Sequence, residues 1–119
     1  MYIYVASPYF HPDPDVRADR YLEVVRYTAQ LIKDCMWAFS PIAHCHDIAV
    51  RHELPRHAEY GRQYNGAMLA PAKELHVLQL EGWEKSLGVK WEMEFAQILQ
   101  KPIRYARWDR GLELYRFVP

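Results

Sequence analysis

The order of elements in this sequence predicts an α/β fold, a three-layer sandwich with a small parallel sheet of four or five strands between helices. Three observations carry that expectation. A β-branched and aromatic run at residues 2–6 leads into a long segment of helical period and then into a second short apolar run at residues 36–40. Strand, helix, strand in that order calls for two parallel strands joined by a right-handed crossover. The alternation then repeats, with a strand at residues 75–80, a helical pattern from Ser86, and a further strand from Pro102 to Ala106. At 119 residues, half of them apolar, the chain is expected to form one domain, 1–119, with a real core.

Taken in order, the first strand stops at Ser7-Pro8, because proline cannot donate to a ladder. Residues 7–12 read as a loop. Asp13-Pro14 is a helix start, a capping carboxylate followed by proline at the first helical position. Tyr21, Val24, Val25, Thr28, Leu31 and Ile32 then line one face of a helix expected to end near Asp34. The second strand is closed by Pro41. The middle of the chain is less regular. One helix is expected over residues 44–53, stopped by Pro55, and another over 59–69, weakened by Gly61 and Gly66 at about 1 kcal/mol each. After the third strand comes a glycine-containing turn at Gly82, then a helix over residues 86–100 with Trp91, Phe95, Ile98 and Leu99 in its apolar pattern. Residues 112–118 alternate, as an edge strand or a docking segment does.

Composition excludes several function classes. Fifteen lysines and arginines balance fifteen aspartates and glutamates, which argues against bulk attraction to polymeric nucleic acid or an acidic membrane. Cys35 and Cys45 show no framework spacing, so a reducing compartment is expected. The amino-terminal apolar run lacks a basic leader and no run reaches membrane-spanning length. A cytoplasmic protein is the expectation. No dinucleotide fingerprint, phosphate-binding loop or nucleophile elbow is present, so no cofactor is expected.

The chemistry concentrates where the third strand hands over to the last helix. In open α/β sheets the ligand crevice lies beyond the carboxyl ends of the strands. Glu92 falls about one turn into that helix, where the dipole favours an ionised carboxylate. Gly88 and Ala96, four residues to either side, are small enough for a ligand to approach. Glu92 is therefore either a nucleophile or an ordinary first-turn glutamate stabilising the helix. Ser86 and Gly88 read as an anion site at the helix start or as a plain cap. Ser7 and Tyr9 leave the first strand toward the same edge, with Tyr9 either a ligand contact or a structural tyrosine. His44-Cys45-His46-Asp47, with His52 and His57 beyond, invites a metal, yet the spacing matches no zinc pattern and no metal is expected. His44 follows the second strand and is placed to line the crevice.

Three segments together resemble a known superfamily: Tyr4-Val5-Ala6-Ser7-Pro8-Tyr9, Ser40-Pro41-Ile42, and Gly82-Trp83-x-x-Ser86-x-Gly88-Val89-x-x-Glu92-x-x-x-Ala96. They are similar to the nucleoside 2-deoxyribosyltransferase-like superfamily, which includes deoxynucleoside 5′-monophosphate N-glycosidases. The Gly-Trp and Met-Glu-Phe details look closer still to a small uncharacterised bacterial family on that fold. The resemblance implies a flavodoxin-like sheet, Glu92 as the nucleophile toward the anomeric carbon, Ser86 on the 5′-phosphate, and Ser7 and Tyr9 around sugar and phosphate. It also implies a homodimer or larger homo-oligomer acting on a small nucleotide or nucleoside. One position departs. Asn65 stands where the family carries an aspartate that assists the leaving base, and asparagine is no acid at neutral pH. Either another group such as His44 assists, or the protein binds nucleotides without cleaving them. The aromatic-rich tail leaves a third reading open, that of an assembly partner.

Overall fold

The computed structural model describes residues 1–55 and 58–119. Five strands form one sheet in the order β2-β1-β3-β4-β5: β1 (Ile3–Ala6), β2 (Ala38–Phe39), β3 (Glu74–Leu78), β4 (Ile103–Asp109) and β5 (Leu114–Phe117). The first four pair in parallel. The fifth runs antiparallel to β4. Its direction follows from the connection: residues 110–113 suffice for a hairpin, whereas a parallel return needs a crossover of a dozen residues or more. The Asp109 side chain accepts from the Leu112 amide at 3.0 Å and Glu113 takes a positive φ of 53°, which together turn the chain.

The described residues also form four α-helices, α1 (Pro14–Lys33), α2 (Pro41–His52), α3 (Ala58–Leu69) and α4 (Leu87–Ile98), and a short 3-10 helix at Trp83–Lys85. Asp13 caps α1 as expected, accepting from the Asp15 amide at 2.9 Å, and Asp34 closes it. The buried face of α1 is Val24, Tyr27, Thr28 and Leu31. Ile32, expected on that face, is exposed, because the stripe is centred on Tyr27 and turns Ile32 outward. The second helix starts three residues earlier than expected. Ser40 and Pro41 make a cap and first helical position, with Ser40 Oγ accepting from the Ala43 amide at 3.0 Å.

All four residues of β1 are buried, so both faces of this strand are covered. Ile3 and Val5 pack with Val24, Tyr27 and Leu31 of α1, and with Leu78 and Ala106. Tyr4 and Ala6 face the other way, into a second cluster with Leu69 of α3, Leu75, Val77, and Val89 and Ala96 of α4. The layers are therefore α1, sheet, and α3 with α4. This is the flavodoxin-like strand order, and the chain reverses its direction of travel across the sheet between β1 and β3. The loops that leave these two strands part at that point and open a crevice at the carboxyl edge.

Within α4 the core stripe is Val89, Glu92 and Ala96. Ile98 and Leu99, expected in the apolar pattern, are exposed, Ile98 by 75%. The stripe is set by Glu92, so a carboxyl group occupies what is geometrically a core position.

Candidate functional site

Glu92 sits at that core position because α4 must bury Val89 and Ala96 against the sheet, and the residue one turn on from Val89 points the same way. It is 5% exposed. The Tyr4 hydroxyl, rising from the central strand, donates to Glu92 Oε2 at 2.5 Å. Burial pushes the Glu92 carboxyl up from its ordinary 4.5 to about 8, with the Tyr4 hydrogen bond pulling weakly the other way. The expectation of an ionised carboxylate at neutral pH is thus corrected. Loss of water outweighs the helix dipole here, because burial acts on the full charge and the dipole contributes about half a charge. The same burial, with Glu92 next in importance, holds the Tyr4 phenol well above its ordinary range, so it stays a donor.

A cleft of about 470 Å³ opens beside this pair, and Ser7, Tyr9, His44, Asn65, Ser86, Gly88 and Glu92 all line it. The sequence placed these seven residues on four separate segments; the fold brings them to one cavity at the switch point. Their positions have distinct causes. Ser7 ends β1, Ser86 and Gly88 start α4, His44 lies in the first turn of α2, and Asn65 lies in the second half of α3.

Two features of the polar end bear on what it can hold. Ser86 Oγ accepts from the Val89 amide at 3.2 Å, so it caps α4, and its hydroxyl proton remains to be given elsewhere. Ser7 is 5% exposed and its Oγ has no hydrogen-bond partner among the described residues. A buried hydroxyl without a partner costs about 1–3 kcal/mol, and a ligand oxygen in the cleft would relieve it. The other end is more apolar, with Phe10, Ile42, Ile48 and Leu54 on its walls.

The aromatic wall contains residues the sequence did not single out for the site. Tyr9 Oη lies 2.6 Å from His46 Nδ1, and His46 stacks on Tyr21 with ring centroids 4.1 Å apart. His44 lies parallel to Tyr64, at 6.4 Å. Cys45 lines the same cleft, and burial raises its thiol above the ordinary range, so it is no ready nucleophile. Among the described residues, His44, Cys45, His46 and Asp47 included, no three His, Cys, Asp or Glu side chains converge as a metal site requires. His57 lies outside the described residues. Tyr4 had a legible signal, a hydroxyl in an otherwise aliphatic central strand, which must find a partner when buried. His46 was read only as one of a possible group of metal ligands and Tyr64 had no such signal, because the fold alone brings them to the cleft.

No helix among the described residues is long and apolar enough to cross a membrane. No curated protein matches the chain. The family described as Domain of unknown function (DUF1937) matches over residues 1–107, nine-tenths of the sequence, and the chain belongs to that family.

Proposed function

We propose that this protein cleaves or transfers the N-glycosidic bond of a nucleotide or deoxynucleoside, with Glu92 as the nucleophile. The observation that carries the proposal is the Glu92–Tyr4 pair, an acid buried in a core position yet lining a cleft that is also lined by Ser7, whose hydroxyl lacks a partner among the described residues.

The step balances as follows. The ionised Glu92 carboxylate attacks the anomeric carbon, a C–O bond forms, and the C–N bond breaks with its electron pair going to the base. The base then needs one proton. Glu92 carries one at neutral pH and must release it to become the nucleophile, so the proton it gives up is the one the base takes, with His44 as the relay in the same cleft. Water or a second base then attacks the same carbon from the freed side and restores Glu92, with overall retention. The Ser86 hydroxyl, the first amides of α4 and the Ser7 hydroxyl hold the sugar or its 5′-phosphate. The proposal also places the protein in the cytoplasm, as a homodimer or larger homo-oligomer, with light scattering as the check on assembly.

The test is chromatographic base release from a panel of nucleosides and nucleoside monophosphates. Release by wild type and none by Glu92→Gln supports the proposal. Release that survives in Glu92→Gln refutes it. Asn65 favours a second reading, a nucleotide-binding module without turnover. Micromolar binding of a monophosphate by calorimetry, with no base released from any substrate, would establish that reading.

A further inference from the structure

We propose that Arg20 is a positioning residue that fixes the width of the cleft by holding its two loops together. The Arg20 guanidinium leaves α1 and donates to the Phe10 carbonyl at 3.1 Å and to the Glu81 carbonyl at 3.2 Å. Phe10 belongs to the loop after β1, and Glu81 to the loop after β3. These are the two loops that part at the switch point, and no hydrogen-bonded ladder joins them beyond the strand ends. One carries Ser7 and Tyr9 to the cleft; the other leads to Ser86, Gly88 and Glu92. A planar fork reaching two carbonyls at once fixes a distance, which a point charge does not.

The neighbouring backbone is shaped to the same end. Gly82 follows Glu81 with φ +86°, and a Cβ there would lie 3.0 Å from Arg20 Nη2. Glycine suits this position on both counts: the left-handed turn is unstrained there, and no Cβ crowds the end of the guanidinium. The adjacent residue on α1, Tyr21, stacks on His46 of α2 and so braces the third wall of the cleft. Arg17 provides an internal contrast. Its guanidinium also donates to two carbonyls, those of His11 and Pro12, but both lie in one loop. It closes that loop and bridges nothing.

The inference concerns the geometry of the cleft and stands whether or not a glycosidic bond is cut there. The experiment therefore needs no substrate. Arg20→Ala, Arg20→Lys and Arg17→Ala proteins are labelled with 13C at glutamate carboxyls, Glu92 is assigned with Glu92→Gln, and its titration is followed by NMR alongside amide hydrogen exchange. If Arg20 holds the loops, its removal lets water reach Glu92. The Glu92 midpoint then falls by about one pH unit or more toward the ordinary carboxylate range. Exchange rises in residues 8–12 and 79–85 together. Arg20→Lys keeps the charge without the fork, moves in the same direction by less, and carries the test should Arg20→Ala fail to fold. Arg17→Ala leaves the Glu92 midpoint in place. A midpoint that stays put or rises in the Arg20 variants overturns the inference, since removing a positive charge without admitting water can only leave a carboxyl midpoint in place or raise it. An equal fall in Arg17→Ala overturns it too.

Discussion

Glu92 and His76 are both buried titratable groups on elements of the central sheet layer and its covering helix, and the fold treats them in opposite ways. His76, on β3, is fully buried and bonded on both sides: Nδ1 lies 2.7 Å from the Tyr27 hydroxyl and Nε2 lies 2.7 Å from Glu74 Oε1. It is not among the residues that line the cleft. Among the described residues Glu92, which lines the cleft, has one hydrogen-bonding side chain, Tyr4. Both ring nitrogens of His76 are satisfied within the protein, which is how a structural network is built. Glu92 leaves bonding capacity toward a cavity also lined by Ser7, whose hydroxyl has no partner among the described residues. Burial with an open side, rather than burial alone, is what makes Glu92 the candidate of the two.

The comparison can be broken most directly by substitution. Glu92→Gln should abolish base release, by on the order of 10³-fold or more, while leaving the protein folded. His76→Ala should leave release within about threefold at temperatures where the protein is folded, yet lower stability by about 2–4 kcal/mol in denaturant melts, because it strands Tyr27 and Glu74. Loss of release in His76→Ala with stability intact would merge the two regions into one site.

The two groups also predict opposite slopes of stability with pH. Burial raises the folded-state midpoint of Glu92 from 4.5 to about 8. Its contribution is complete below pH 4.5 and is lost as pH rises through 8, since the unfolded chain ionises first. Burial lowers the folded-state midpoint of His76 below 6.5, against the smaller upward pull of Glu74. Its contribution is present above pH 6.5 and is lost as pH falls through the lowered midpoint. Thermal melts from pH 4 to 9 should show both limbs. The alkaline limb should flatten in Glu92→Gln, and the acid limb should not. Release itself should rise toward pH 8 if Glu92 attacks as a carboxylate.

Two smaller effects sharpen the contrast. Tyr4→Phe removes the donor that lowers the Glu92 midpoint, so that midpoint should rise further, with a stability loss of about 1–2 kcal/mol and about tenfold slower release at neutral pH. Ser7→Ala removes a hydroxyl that lacks a partner. Stability should change by less than about 1 kcal/mol or improve, while nucleotide binding measured by calorimetry weakens by about tenfold. A large stability loss in Ser7→Ala would show that the hydroxyl serves the fold and not a ligand.

Much of the architecture was legible from periodicity and from proline placement, and the exceptions are instructive. Asp13-Pro14 was read as a helix start and is one. Ser40-Pro41 has the same chemistry but was read as a strand end, so α2 was expected to begin late. The apolar residues Ile32, Ile98 and Leu99 fitted helical faces on paper and are exposed. In α4 the stripe that reaches the core contains Glu92, and a hydrophobicity pattern cannot assign a carboxyl group to a core position. Six of the seven candidate residues were found from local signals such as strand ends and a helix start, and Asn65 from the resemblance alone. Tyr4, His46 and Tyr64 were not, since their partners lie in distant segments.

By itself the sequence determined the layers, the order of elements and the edge of the sheet where chemistry would gather, because hydrophobic period, caps and crossover handedness are local or nearly local rules. Tertiary structure alone decided the charge state of Glu92. That state depends on how much water the packed helices exclude and on a tyrosine hydroxyl from a strand 88 residues away in the chain, neither of which a local pattern contains.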